Sequence, residues 1–262
     1  MAFVYASVFI FGLVMGSFVN VLIYRIPLGR SIVTPPSSCT GCGKRLTAVD
    51  LVPVFSFVFL KGRCRHCGAS ISIRYPLVEL LTAVIYIVLF NKFGLSIPFA
   101  AYAFLMIILI AVFFIDIDHR IIPDELVIAG ITGGSLLFVY NIFLPLTEVF
   151  GNGKWWTPAA GFFSGSGLLL LVAVLGSLLY RTDDAMGMGD VKLMAPIGLF
   201  LGWKLCLTAL FISVLLAGVS SMVLILLRKK NRKDTIPFGP FIVAGTFITI
   251  MWGWGILSWM QG

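Results

Sequence analysis

The sequence predicts an all-α polytopic membrane protein with about eight spanning helices and one small cytosolic zinc-knuckle insertion. Three observations carry this. Of 262 residues, 60% are hydrophobic and only 11% are charged, against about a quarter charged in soluble domains. The mean hydropathy is +1.06. The apolar residues fall in continuous runs of membrane-crossing length, roughly 20 residues for a 30 Å hydrocarbon core, and do not alternate as barrel strands do. Backbone groups in lipid must bond within their own segment, so these runs are helices.

The runs lie near 3–24, 76–93, 97–115, 125–145, 157–179, 191–203, 205–227 and 238–258. The sixth is short for a full span. The first lacks a basic n-region and is followed by a basic flank, so it reads as a retained span and not as a cleaved signal. Charge then orients the chain. Stretch 25–75 carries Arg25, Arg30, Lys44, Arg45, Lys61, Arg63, Arg65 and Arg74. The further connections on the same side carry Arg120, then Arg181 and Lys192, then Arg228, Lys229, Lys230, Arg232 and Lys233. Sixteen of nineteen Lys and Arg residues thus fall on one side, with Lys92, Lys154 and Lys204 on the other. Positive charge stays in the cytoplasm, which puts both termini outward. The net charge of +8 belongs to the membrane and its anionic headgroups, not to nucleic acid. The chain divides into a first spanning helix (1–24), a cytosolic loop domain (25–75) and a membrane-embedded remainder (76–262).

The loop reads C-x2-C, 21 residues, C-x2-C: Cys39, Cys42, Cys64 and Cys67. Two such knuckles place four thiolates around one tetrahedral Zn²⁺. A reducing cytosol disfavours the alternative of two disulfides. Four sulfurs leave no open coordination position, so the zinc is structural, and a loop this small needs such a staple. His66 is a bystander in the second knuckle. Cys206, in an apolar run, is a packing thiol.

Eleven acidic residues can be weighed singly. Asp50, Glu148, Asp183, Asp184 and Asp234 read as solvated charges. Glu79, about one turn into the second span, is either a functional group or a partner for Arg74. Around 113–126, Pro123 forces a turn. Asp124 stands where a helix N-cap belongs, and Asp118 faces water. Asp116 follows AVFFI directly and fits neither role. Asp190, in GMGDVKLM (187–194), opens the short sixth segment at the same face, where it can also cap. Two carboxylates in a low-dielectric site share one proton. The ionised member activates water and the protonated member polarises a carbonyl, which is aspartic-protease chemistry. Gly187 and Gly189 let a substrate backbone approach. A helix N-terminus at Asp190 leaves Asp116 as the proton holder. Lys192 reads as a snorkelling cation. With only His66 and His119 and no G-x-S-x-G elbow, a Ser–His–Asp site is disfavoured. An ion carrier would hold its carboxylates near mid-bilayer, not at one face.

The blocks GSFVNVLIYRIP (16–27), the double C-x2-C loop running into RYPLVELL (74–81), IDIDHRIIPDEL (115–126), GMGDVKLM (187–194) and IPFGPFIVAG (236–245) together resemble the type IV prepilin peptidases, G-x-G-D membrane aspartic proteases of the bacterial inner membrane. The resemblance implies that Asp116 and Asp190 are the catalytic pair. It implies prepilin or pseudopilin substrates with a basic leader, cut after a glycine on the cytosolic face. It further implies methylation of the new N-terminus by S-adenosylmethionine, an activity linked to the N-terminal cytosolic part, for which Glu79 is a candidate. A peptidase without methyltransferase activity is the alternative.

Overall fold

A computed structural model describes residues 1–151, 154–180, 187–227 and 236–261. Arg181, Asp183, Asp184, Arg228, Lys229, Lys230, Arg232, Lys233 and Asp234 lie outside the described residues. The chain forms two compact units, Met1–Leu95 and Ser96–Gly262. Among the described residues seven helices are long and apolar enough to cross a membrane, and no strand forms.

In the first unit, α1 (Ala2–Arg25) and α3 (Arg74–Phe93) pack antiparallel around the loop that joins them. Tyr5 Oη donates to Asn91 Oδ1 (2.7 Å), Phe11 meets Tyr86, and Asn20 Nδ2 donates to the Tyr75 carbonyl (3.0 Å). Between these rungs Gly12 and Gly16 set the spacing. A Cβ on either would lie 2.6 Å from the Cα of Ala83 or Glu79. Small residues one turn apart allow such close helix approach in lipid. The helix α3, expected to open the membrane-embedded remainder at residue 76, therefore packs with α1 in the first unit. The loop contributes a 3-10 turn (Ala48–Leu51) and the short α2 (Phe55–Phe59).

The second unit is built on α4 (Ile97–His119), in which Leu105, Met106, Leu109, Ala111, Val112 and Ile115 are all fully buried. A helix apolar on all sides belongs at a core centre. Ser96 caps it by accepting from the Phe99 N–H (3.3 Å). Arg120 ends it in a left-handed conformation (φ 56°). There follow α5 (Asp124–Phe143), α6 (Thr147–Phe150), α7 (Thr157–Tyr180), α8 (Met188–Leu226) and α9 (Gly239–Gln261). The expected sixth and seventh segments are one element, α8, broken at Gly202 (φ 72°, ψ 168°). The break is a reversal. A Cβ on Gly165 of α7 would meet both the Cys206 Sγ and the Met194 carbonyl, atoms that an unbroken helix would hold about 18 Å apart. The short first arm and the longer second arm thus lie side by side, which is how 39 residues fit where a straight helix would overrun the bilayer. Gly161 of α7 crosses Gly198 backbone to backbone, with no room for a Cβ on either.

Candidate active site and metal centre

The ends of α4, α8 and α9 bring together what 123 residues of sequence separate. Asp116, in the last turn of α4, is only 6% exposed. Its Oδ2 accepts from the backbone N–H of Gly239, the first residue of α9 (3.0 Å). The Phe238 carbonyl takes the N–H groups of Phe241 and Ile242, so α9 begins here with its free N–H groups and positive dipole end toward Asp116. Only glycine fits: a Cβ at position 239 would lie 2.6 Å from Asp116 Oδ2. Sequence reasoning missed Gly239. Its signal is the glycine between two prolines in P-F-G-P, placed where a helix opens.

Asp190 is the third residue of α8 and is half-buried. Its charge and that of Asp116 act on each other. It does not cap its helix: Gly187 holds the N-cap position, without a side-chain bond, and Asp190 N–H donates to the Gly187 carbonyl (3.1 Å). Asp190 thus stays in the first turn of α8 without the expected cap bond, and the start of α9 serves Asp116. Gly187 is exposed and flanks the Asp190 carboxylate, 3.1 Å from where its Cβ would stand. Gly189 faces Ile122, so α8 rests closely on the turn between α4 and α5.

Neighbouring charges sort themselves. Asp118, Glu125 and Glu148 are exposed. Asp124 is the first residue of α5 and makes no cap bond; Pro123 holds the N-cap position. Asp124 instead accepts from Lys192 Nζ (2.8 Å). Lys192 therefore ties the start of α5 to the first arm of α8. Both side chains are well exposed, a setting worth about 0–1 kcal/mol.

In the first unit the four cysteines converge. Their sulfurs all lie within 4.8 Å of one another. Cys39 Sγ is 3.9 Å from Cys67 Sγ, against about 3.8 Å for two sulfurs on one tetrahedral Zn²⁺ and about 2 Å for a disulfide. The knuckles are structural twins offset by 25 positions. Cys39 N–H bonds the Lys44 carbonyl and Cys64 N–H the Ala69 carbonyl, and Leu46 pairs with Ser37 as Ile71 does with Gly62. Each twin turns through a left-handed glycine, Gly43 (φ 68°) and Gly68 (φ 72°). Backbone N–H groups of Cys42 and Gly41 hold the Cys39 thiol down to about 6. His66 is outside the cluster, with Nδ1 3.5 Å from Lys44 Nζ. Cys206 is buried beside Gly165, a packing thiol as expected. Asp50 is not a free charge. It completes a capping box with Thr47 and accepts from Arg65 Nε (2.8 Å). Thr47 foremost, then Arg65, holds its carboxyl down to about 2.

Between α1, α3 and the loop lies a cavity of about 1020 Å³. Glu79 lines it, 7% exposed, with Oε2 accepting from the Val54 N–H (2.7 Å). Val54 is held at φ 61°, rare for a β-branched residue. Glu79 thus secures a strained loop turn from the cavity wall, and the bond it accepts comes from Val54.

Residues 10–93 match the family described as bacterial peptidase A24 N-terminal domain, and residues 103–222 the type IV leader peptidase family. The chain is 32% identical to the prepilin leader peptidase/N-methyltransferase of Aeromonas salmonicida, over 97% of this chain and 93% of that one. It is 34% identical to the Bacillus subtilis protein of the same name, over 95% of each. The chain belongs to the prepilin leader peptidase/N-methyltransferase family. The first family match falls within the first compact unit. Asp116 and Asp190 lie in the second, inside the leader-peptidase match, whereas Gly239 lies beyond it. No solved structure matches the chain.

Proposed function

We propose that the protein cleaves the basic leader from type IV prepilins or pseudopilins after a glycine, at the cytosolic face of the bacterial inner membrane, and then methylates the new N-terminus. The observation that carries this reading is the meeting of Asp116 and Asp190 at adjoining helix ends. Asp116 accepts an N–H bond at a helix N-terminus, an arrangement that favours its carboxylate. It takes a proton from water as the oxygen attacks the scissile carbonyl. Asp190 carries the proton that polarises the carbonyl oxygen. The departing amine then receives a proton from the pair. The exposed Gly187 leaves the substrate backbone a way in beside Asp190, while Gly189 holds the α8 start against Ile122.

The excess of Lys and Arg orients the zinc loop and the aspartate-bearing helix ends toward the cytosol, with both chain termini outward. Basic residues meet anionic headgroups, and nothing in the charge pattern calls for nucleic acid. Cys39, Cys42, Cys64 and Cys67 hold one Zn²⁺ that shapes the loop and takes no part in chemistry. S-adenosylmethionine supplies the methyl group.

Mass spectrometry of a prepilin incubated with the purified protein and S-adenosylmethionine tests both steps. The expected product starts after a glycine and carries one added methyl on its N-terminus. An intact leader contradicts the proposal. A cut but unmethylated product leaves a peptidase alone.

A further inference from the structure

The aspartate pair leaves one large feature of the molecule unused: the cavity of the first unit. At about 1020 Å³ it is at the upper end of small-molecule sites, and its wall holds chemically unlike groups side by side. Glu79 is buried and oriented, held by the Val54 N–H (2.7 Å), with Ser17 on the same wall. One donor occupies about a quarter of a carboxylate's acceptor positions, so the rest remain for a ligand. Arg25, with its guanidinium steadied on the carbonyls of Ser31 and Pro35, brings positive charge to the same wall. Tyr24 and Tyr75 add aromatic faces, and Asn20 a buried amide. Cys39 and Cys64 form part of another side, so the metal knot holds that side in shape.

We infer that this cavity is the methyl-donor site, which rests on the methylation reading above. S-adenosylmethionine combines a cationic sulfonium, an ammonium, a carboxylate and a purine. The cavity offers a carboxylate, a guanidinium and aromatic faces, the complement of each. Glu79 also suits the transfer itself. The new N-terminal ammonium gives one proton to the Glu79 carboxylate. Its lone pair then forms the N–C bond as the S–C bond breaks, the bonding pair leaving on sulfur as neutral thioether. The product is a methylammonium, with the released proton on Glu79.

Binding to the full-length protein in detergent, with S-adenosylhomocysteine as the calorimetric probe, tests this without turnover. Glu79→Gln is expected to weaken binding at least tenfold. Val21→Trp, which fills the cavity from α1 without touching Glu79's charge, is expected to abolish it, with zinc content checked to confirm an intact loop. Ultraviolet crosslinking of S-adenosylmethionine followed by peptide mapping should label peptides holding Tyr24 or Tyr75. Wild-type affinity in both variants, or label confined to residues 96–262, overturns the site while methylation stands. No probe binding together with unmethylated product overturns the site and the methylation reading alike, and leaves leader cleavage untouched.

Discussion

Replacing Gly202 by alanine attacks the turn that folds α8 back on itself and so positions the arm bearing Asp190. Two terms add. The backbone at φ 72° and ψ 168° is a region nearly confined to glycine, costing about 1–3 kcal/mol for any other residue. The new Cβ would stand 2.7 Å from Thr157 Cγ2 and 3.0 Å from Phe150 Cδ1, both on buried residues, and such overpacking costs about 1–3 kcal/mol more. Together they give about 2–6 kcal/mol, a Tm lowered by roughly 4 °C or more for a protein of this size. Gly167→Ala is the control. A Cβ there meets nothing within 4 Å, and alanine is the better helix former by about 0.5–1 kcal/mol. Thermal unfolding in detergent by tryptophan fluorescence, read with leader cleavage, should show Gly202→Ala less stable and less active and Gly167→Ala unharmed. Equal behaviour of the two variants would refute the hairpin account.

Other consequences are simpler to read. Metal analysis should find one zinc per chain, falling to near zero in Cys42→Ser; full zinc in that variant would contradict a four-thiolate site. Gly16→Ala puts a methyl 2.6 Å from the Glu79 Cα and should lower stability by about 1–3 kcal/mol, checked by the same melts. Asp50 has its carboxyl depressed from 3.8 to about 2, so its contribution is full above pH about 4 and is lost as pH falls toward 2. The Tm difference between wild type and Asp50→Asn should therefore stay constant from pH 7 to about 4 and close below it; a gap unchanged at pH 2 would remove the Thr47 and Arg65 contacts from the account.

What the sequence made legible follows the range of the interaction. Helix positions came from local hydropathy, and the helices fall within a few residues of the apolar runs, even the short sixth segment that the Gly202 break explains. The four-cysteine knot was legible because each knuckle is local and the spacing is characteristic. Asp116 was legible by elimination, since no cap or loop role suited it. Partners across long separations were not. Nothing near Asp116 announces Gly239, and nothing near Asp50 announces Arg65. Glu79 looked like a candidate ion-pair partner because Arg74 stands five residues before it, whereas Val54, 25 residues earlier, supplies its bond. Asp124 and Asp190 both lie one or more positions inside the helices they seemed to cap, a shift that propensity alone does not resolve.

The account stands most directly on cleavage by the two isosteric variants Asp116→Asn and Asp190→Asn, measured with a prepilin in membranes at matched expression and zinc content. Each alone should lose cleavage to background, because neither carboxylate can both take the water proton and polarise the carbonyl. Robust cleavage by either variant would contradict the aspartate pair.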